Sequence, residues 1–531
     1  MHHDPAPDSA AVIDDPRRRR TVLVAVCIAL MAVIASVSGL NVAQPQIALE
    51  FDASQNAVLW MINAYTVSLA ALLLPLGAIG DRWGRKPVLL TGLVLFGVAN
   101  AVAGLAGATE VMIAARLLSG VGAAMIMPVT LAVITSSFPE QERSRAIGAW
   151  TAVAGGGGIL GMYLSALLVD VASWRWLFAL PIALVVAAVV IALRSVPNSH
   201  EATGHRFDVV GSVTSIVAVV GLIFVLHEGP ERGWTAPETV LSLILGLAGL
   251  AAFIGWERRH VAPLLDVRLF RERGLSSGSM TLLAVFGVQA GIFVMLYPYF
   301  QVLLGWSGLL STLALMPSAL SMMAASGLAP KVAARLGARA TMVTGVVVGG
   351  AGLALMAVLV SVDGGYLSIL FGMIAMGLGM GLAMMPSTEA ITSALPRDRQ
   401  GVASALNDIT REFGTALGVA LLGTVLSAGY RGSIAPRLTG LPDSTAETVR
   451  LGLANAVAGE TGPAAPALVR AAEEAFVAGW RQAMWVGVGV MAVLLVFVLL
   501  RGPRATARTT PATGTDVEQQ RPSDSAASGS R

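Results

Sequence analysis

Charged residues are scarce in this chain of 531 residues, at 13% of the sequence. A soluble chain of this length carries about 25% charge, so this one has too few polar groups to cover its surface in water. Apolar residue types make up 55% of it, and its mean hydropathy is +0.74. The composition excludes a soluble globular protein, and the long apolar runs predict an all-α membrane protein.

Cysteine, histidine and lysine are also rare, and each shortage excludes a class of function. The single Cys27 excludes a disulfide framework and a cysteine metal cluster, and none of the six histidines stands at a zinc spacing. No Gly-Lys-Ser or Gly-Lys-Thr tripeptide is present to cradle phosphate, which argues against ATP as an energy source. The sequence shows no basic stripe outside the loops and no nucleophile elbow. We therefore expect no metal, no cofactor, no nucleic-acid partner and no enzymatic activity.

What the sequence has in abundance is long apolar runs, each near the length of about 20 residues that crosses a bilayer. The four arginines Arg17 to Arg20 precede the first run, which is longer than the apolar core of a signal peptide. Fourteen spans are predicted, at 21–43, 57–79, 87–107, 111–137, 144–169, 175–194, 209–227, 239–256, 276–304, 308–329, 340–361, 366–391, 401–428 and 480–500.

The positive charges alternate between the loops in a way that predicts orientation. With the N-terminus in the cytoplasm, most loop arginines and both lysines fall on the cytoplasmic side, as the positive-inside rule requires. Both termini are then cytoplasmic, in a plasma or inner membrane. The loop 429–479 is the exception, because it carries several arginines and is assigned outside; long loops obey the rule poorly.

The chain also reads as two parallel halves. The segment Gly80 to Lys86 follows the second span, and the similar segment Ala333 to Arg339 follows the tenth. Parallel halves with a site between them are a transporter plan. The predicted regions are an N-terminal tail at 1–20, a six-helix bundle at 21–200, an inserted helix pair with its linker at 201–274, a second six-helix bundle at 275–502 and a disordered tail at 503–531.

The sharpest motif is Gly-Ala-Ile-Gly-Asp-Arg-Trp-Gly-Arg-Lys at 77–86. It resembles the loop signature of the major facilitator superfamily, with isoleucine in place of leucine at 79. Glycine permits close helix approach and tight turns, and a carboxylate can accept from a helix N-terminus or from arginine. The resemblance implies a conformational latch; the alternative is a charged loop that only fixes topology. The proposed latch residues are Gly77, Asp81, Arg82, Gly84 and Arg85.

Two further segments carry the resemblance. Arg116-Leu-Leu-Ser-Gly resembles an element of the family's fourth span whose arginine is linked to proton coupling. A charge inside an apolar helix is costly and usually functional, although this arginine could also reach the external face along its own stem. The end of the first span, Asn41-Val-Ala-Gln-Pro, resembles the fourteen-helix drug:proton antiporter branch. That branch usually has an aspartate where this chain has Ser36.

The fifth span is rich in glycine, at 155–158 and again at Gly161. It resembles the family's antiporter signature, with Met162 where that signature has proline and Ser165-Ala166 where it has two glycines. Small residues still allow close packing, but the proline kink is lost. This departure leaves uptake open as an alternative to export.

Because Ser36 cannot titrate, we looked for another carboxylate in the spans. The thirteenth span contains Asp408 and Glu412, one turn apart on one helical face, with Arg411 beside them. Burial favours the neutral carboxyl and a neighbouring arginine favours the ionised one, so a balanced group can load and release a proton. We predict proton coupling at Asp408, Glu412, Arg411 and Arg116. The alternative is a static ion-paired patch that fixes helix packing.

The prediction is therefore a monomeric, proton-coupled exporter of small molecules that works by alternating access in the lipid bilayer. The rival interpretations are a proton-coupled uptake symporter and a membrane sensor that does not transport. Substrate-cavity candidates are polar and aromatic residues of the spans: Asn41, Trp60, Asn63, Tyr65, Gln289, Tyr297 and Tyr299.

Overall fold

A computed structural model describes residues 12–53, 55–199, 207–396, 399–439, 441–459 and 465–503. Over these ranges the chain forms helices and no strand, so the predicted all-α membrane fold is confirmed. Fourteen of the described helical segments are long and apolar enough to cross a membrane, as predicted. The predicted C-terminal tail and most of the predicted N-terminal tail lie outside the described residues.

The helices fall into two halves and an inserted pair. The first half consists of α1 (Pro16–Glu50), α2 (Gln55–Trp83), α3 (Arg85–Gly104), α4 (Thr109–Ser137), α5 (Glu140–Val171) and α6 (Ala179–Ser195). The inserted pair is α7 (Val209–Arg232) and α8 (Pro237–Glu257). The second half consists of α9 (Arg273–Pro298), α10 (Gly308–Ala314), α11 (Met316–Leu336), α12 (Ala338–Leu359), α13 (Leu367–Ser393), α14 (Gln400–Ile434), α15 (Asp443–Arg450), α16 (Leu453–Gly459) and α17 (Ala465–Arg501).

Several helices are longer than their apolar runs. α14 continues to Ile434 and α17 begins at Ala465, so the predicted loop 429–479 is largely helical. Arg470 near the start of α17 pairs with Asp363, with 2.8 Å between Arg470 Nη1 and Asp363 Oδ1. A hydropathy window predicts the end of a span where such charges begin. The helix itself continues, because its backbone hydrogen bonds do not depend on the lipid.

The tenth predicted span is broken into two helices. α10 begins after Ser307, whose hydroxyl accepts from the Leu310 amide at 3.2 Å, as an N-cap does. Pro317 then stands in the first turn of α11, where proline is tolerated. These local signals interrupt an apolar run that composition alone treats as continuous.

The duplication is visible in the turns that follow α2 and α11. Gly84 (φ 107°) and Gly337 (φ 87°) both adopt a positive φ and both directly precede the next helix. That conformation favours glycine, which explains why the two segments share it. The halves differ one turn earlier, because Ala334 occupies the position that Asp81 has in the first half.

The interface between the halves is built from a few helix pairs. α2 and α4 pack on α14, and α5 packs on α11 and α13. The inserted pair joins the halves through α7, which contacts α2 and α14. Residues that these pairs bring together are the candidates for the functional site.

The base of the inserted pair is fixed by two buried carboxylates. Asp208 caps α7 by accepting from the Gly211 amide at 2.8 Å, and it accepts from the Trp256 indole at 2.9 Å. Glu257, the last residue of α8, accepts from the Leu265 amide at 3.3 Å. The linker after α8 is thereby folded back against the pair.

The fourteen-helix arrangement predicts that Ser444 and Arg271 lie on opposite sides of the membrane. Both residues are exposed, Ser444 in α15 and Arg271 in the linker before α9. In a Cys27→Ala background, we expect a membrane-impermeant maleimide to label Ser444→Cys in intact cells and Arg271→Cys only after permeabilisation. Labelling of both variants in intact cells would contradict this topology, and the Cys27→Ala protein alone is the unlabelled control.

Candidate transport and coupling site

Asp81 joins the two halves by binding the N-terminus of α14. Its carboxylate accepts from the backbone amides of Gly401 at 2.8 Å and Val402 at 3.1 Å. The residue is 1% exposed. A carboxylate is favoured at this place because the first amides of a helix have no partner within the helix and carry partial positive charge.

Two glycines make that contact possible. A Cβ atom at Gly77 would lie 2.6 Å from the Gly401 carbonyl oxygen, and one at Gly401 would collide with the Gly77 carbonyl oxygen. α2 and α14 can therefore approach this closely only because neither residue has a side chain. The motif glycine predicted from sequence has its partner in the other half of the chain.

Arg85 is the third residue of this contact and binds the Asp81 carboxylate. Its Nη2 lies 2.6 Å from Asp81 Oδ1, and its Nη1 donates to the Ser199 hydroxyl at 3.3 Å. Gly84 turns the chain so that Arg85 points inward, and a Cβ there would lie 2.6 Å from Asn198 Oδ1. Arg82 is half-buried beside them. Because Asp81 and Arg85 are buried, the motif is more than a charged surface loop.

The predicted acid cluster lies on α14 two turns beyond the Asp81 contact. Asp408 is fully buried, and its Oδ1 accepts from Asn407 at 3.2 Å and from Arg411 at 3.4 Å. The Arg411 contact is long for a charged pair, which normally lies near 2.8 Å. Among the residues that the structure describes, Asp408 Oδ2 and Arg411 Nε are buried without a hydrogen-bond partner. The pairing of Asp408 with Arg411 is therefore loose.

Arg411 reaches across the interface. Its Nη2 donates to the Ala154 carbonyl of α5 at 3.4 Å, and its guanidinium lies over the rings of Phe286 at 4.5 Å and Trp150 at 5.6 Å. Glu412 follows on the next position and is only partly buried. The cluster is therefore shared between α14 of the second half and α5 of the first.

Arg116 is completely buried, so the interpretation that it reaches the external face is wrong. Its Nε donates to the Met61 carbonyl at 3.2 Å and its Nη1 to the Ser36 hydroxyl at 3.0 Å, while the guanidinium lies 4.4 Å from the Tyr65 ring centre. No carboxylate among the described residues pairs with it. Ser36, which replaces the branch's usual aspartate, is a direct partner of this arginine.

The glycine run of α5 packs against methionines of the other half. Cβ atoms at Gly155 and Gly156 would collide with Met322 and Met323 of α11. Methionine is flexible and adapts to changing surfaces, so this interface can slide without losing contact. The close packing expected from the small residues is present, and α5 is one continuous helix.

The cavity candidates do not share one location. Tyr297 is at the interface, where its hydroxyl lies 3.6 Å from Met162 Sδ of α5. Tyr65 is instead fully buried in the first bundle, and the ring of Trp60 faces Phe224 of α7 at 6.0 Å. Tyr65 packs on Arg116 and Trp60 on the inserted pair, and the substrate-cavity role of both stays a prediction.

The remaining cavity candidates lie away from the interface or are only partly described. Gln289 lies in a narrow space within the second bundle beside Met376 and Met380. Tyr299 is buried and its hydroxyl donates to the Gly365 carbonyl at 3.0 Å. Asn63 is partly buried on α2, and Asn41 lies on α1 with its side chain outside the described part.

Sequence reasoning missed one acid at the interface. Glu389 of α13 accepts a hydrogen bond from the Ser144 hydroxyl of α5, across the two halves. From the sequence, Asp408 and Glu412 were the acids of the spans that we singled out. Glu389 was overlooked because it lies near the end of its span. The signal that could have found it is the Pro-Ser-Thr-Glu stretch at 386–389, a polar run inside an apolar helix.

Taken together, these residues join the halves at one end and place buried ionisable groups between them. Two bundles of parallel topology, a glycine-mediated interface and buried ionisable groups at that interface define a secondary transporter. The comparisons with known proteins agree with this class.

The chain belongs to the Major Facilitator Superfamily, whose family model matches residues 26–419. It is 29% identical over 521 residues to the multidrug resistance protein Stp of Mycobacterium tuberculosis (strain CDC 1551 / Oshkosh), covering 95% of each chain. It is 30% identical over 469 residues to the multidrug efflux pump LfrA of Mycolicibacterium smegmatis (strain ATCC 700084 / mc(2)155), covering 87% of this chain and 92% of that one. It is 31% identical over 456 residues to the cephamycin export protein CmcT of Amycolatopsis lactamdurans, covering 85% and 93%.

Solved structures show the same fold at low identity. The human organic anion transporter MFSD10 superimposes with a TM-score of 0.60 at 13% identity, covering 91% of this chain and 100% of that one. The proton:xylose symporter XylE gives 0.58 at 13% identity, covering 92% and 96%. At this identity, the likeness supports the fold alone.

The geometry predicts that Asp81→Asn abolishes transport while the protein still inserts. Asparagine keeps one acceptor oxygen but loses the charge that Arg85 and the α14 amides stabilise, and a buried amide left unpaired costs about 1–3 kcal/mol. The measurement is efflux per inserted protein, with Gly84→Val as a second disruptive variant. Asp443→Asn, at an exposed aspartate of α15, is the matched control. Normal efflux by well-expressed Asp81→Asn would refute the latch.

Proposed function

We propose that this protein is a proton-driven exporter of small molecules, of the drug or antibiotic type, in the plasma membrane. The observation that carries the proposal is that α14 holds both the Asp81 contact and the Asp408–Arg411–Glu412 cluster. Asp408 is eight residues from Gln400, the first residue of α14, a distance of about 12 Å along the axis. A change of charge in the cluster can therefore act, through one rigid helix, on the end of the protein where the Asp81 contact closes the halves.

The closed end faces the cytoplasm in this proposal. It carries Arg82, Arg85, Lys86 and the arginines of the equivalent segment after α11, which the positive-inside rule assigns to that side. The described structure thus corresponds to a state that is closed toward the cytoplasm. Both termini are then cytoplasmic, and a single chain contains both halves of the site.

Alternating access follows from the two ionisation states of the cluster. With Asp408 ionised, Arg411 stays beside it and the halves remain joined at the Asp81 end. A proton that enters from outside neutralises a carboxylate, which weakens the hold of Asp408 on Arg411 and leaves Arg411 with its contact to the Ala154 carbonyl of α5. Substrate leaves outward before the proton binds, and the proton leaves to the cytoplasm after the interface opens there.

The site also limits the substrate. In the first bundle Arg116 has no carboxylate partner within the described part of the chain, and Ser36 stands in the usual aspartate position. Strongly cationic substrates are therefore disfavoured relative to neutral or anionic ones. The interface near Tyr297 and Met162 offers aromatic and thioether contacts for an apolar molecule.

Export is preferred over uptake because the relatives over most of the chain are named for resistance, efflux or export. A sensor without transport would have to keep buried charges, each costing about 3 kcal/mol in lipid, for no transport function. A vesicle assay distinguishes direction, because an exporter loads everted vesicles when a proton gradient is imposed.

The coupling proposal predicts separate effects on binding and pumping. Asp408→Asn should lose uphill export and retain substrate binding, since asparagine keeps the shape but exchanges no proton. Glu412→Gln should show a milder loss. Arg411→Ala should move the pH profile of transport to higher pH, because removal of a neighbouring cation favours the protonated carboxyl. Proton-driven uptake into everted vesicles across pH measures pumping, and an equilibrium binding assay measures substrate binding.

Asp443→Asn serves again as the control for loss of one carboxylate. If Asp408→Asn, Glu412→Gln and the double variant all pump uphill with an unchanged pH profile, the cluster is structural and coupling lies elsewhere. If export is lost together with binding, the cluster is part of the substrate site.

A further inference from the structure

A deep crevice separates the inserted helix pair from the transport bundles. It has a volume of about 420 Å³ and lies between α7 and α8 on one side and α2 and α14 on the other. Its walls are almost entirely apolar, with Leu74 from α2, Leu222 from α7, Leu250 from α8 and Ile409 and Phe413 from α14.

The crevice exists because α8 packs on α7 and scarcely on the bundles. α7 and α8 are in such close contact that a Cβ atom at Gly221 would lie 2.7 Å from the Gly246 Cα. α7 contacts both α2 and α14, whereas α8 has at most weak contacts with them. The space left between α8 and α14 suits an alkyl chain, because apart from Ser215 and Arg258 its walls are apolar.

Arg258, at the mouth, is the charged residue among those that line the crevice. Its guanidinium forms no ion pair with any described residue. The Arg268 guanidinium lies close by, since its Nη2 donates to the Arg258 carbonyl at 2.9 Å. Two neighbouring acids, Asp208 and Glu257, are 6% and 2% exposed and turn inward. A third, Asp266, stands between two residues that line the crevice and accepts from the Arg268 amide at 3.0 Å.

We propose that this crevice binds an anionic phospholipid, with one acyl chain between α8 and α14 and the phosphate on Arg258. An apolar slot with a cationic rim complements this ligand in both parts. Arginine presents a fork of donors that matches phosphate oxygens, and basic pockets between spanning helices suit anionic headgroups. Every methylene group that enters the slot adds to the binding.

The position of the crevice gives the lipid a role in transport, an extension that rests on the proposed function. Leu406, Ile409 and Phe413 form its α14 wall, on the same turns of the helix as Asp408, Arg411 and Glu412. A bound acyl chain supports α14 from the lipid side while Arg411 contacts α5 on the other. Proton-driven export should therefore be faster in membranes that contain anionic phospholipid.

Lipid retention tests the site without reference to transport. The purified full chain is exchanged into detergent with equal phosphatidylglycerol and phosphatidylcholine, and retained lipid is counted by native mass spectrometry. We expect preferential retention of one phosphatidylglycerol. Arg258→Gln should weaken it about tenfold, the effect of losing one charge-assisted hydrogen bond. Arg259→Gln removes the same charge one residue away, outside the crevice, and should leave retention unchanged.

A second variant tests the slot rather than the charge. Leu250 is exposed on α8, so Leu250→Trp narrows the crevice without disturbing a buried core. It should reduce phosphatidylglycerol retention although Arg258 is intact. Equal retention of the two lipids by the unmodified protein, or equal loss in Arg258→Gln and Arg259→Gln, would overturn the proposal. Loss of retention with unimpaired export would remove only the role in transport.

Discussion

The contact between the Asp81 carboxylate and the N-terminus of α14 is the interaction on which this structure depends. The first amides of a helix need an acceptor, and in the membrane no water supplies one. Here the acceptor comes from the opposite half of the chain. Two glycines allow this carboxylate to approach α14, and Arg85 holds it in place. A contact of this kind makes a closed end that one event can release.

The two halves do not contribute equally to that closed end. Ala334 takes the place of Asp81 in the second half, so the α5 side has no equivalent helix cap. That side instead uses the Ser144–Glu389 hydrogen bond and the glycine–methionine packing of α5 on α11. One side of the interface is thus specific and charged, and the other is adaptable. A rocking motion that breaks the first while sliding along the second fits this division.

The local sequence predicted the helices and the chemistry of single residues better than the contacts that these residues make. The fourteen spans follow from apolar run length, and the chemistry of Asp81 follows from its residue type and setting. Its partner, 320 residues further along the chain, does not. Trp60 and Tyr65 look alike in sequence as aromatic residues inside a span, whereas the fold places the first against α7 and the second on Arg116. Glu389 lies inside its predicted span, 366–391, and was missed because it stands close to the end of that span, where polar residues are common. The crevice beside α8 depends on how the inserted pair docks, which no local pattern encodes.

The central claim is that protonation of the α14 cluster opens the end that Asp81 closes. Trp83 and Leu336 are 68% and 62% exposed at that end, at the termini of α2 and α11 in opposite halves, and both accept a spin label in a Cys27→Ala background. Electron–electron resonance then measures their separation in lipid nanodiscs as the pH is lowered. We predict that the distance increases in the otherwise unmodified protein, and that the Asp408→Asn, Glu412→Gln double variant gives one distance distribution at every pH. A double variant that still widens on acidification, as the unmodified protein does, would contradict the account.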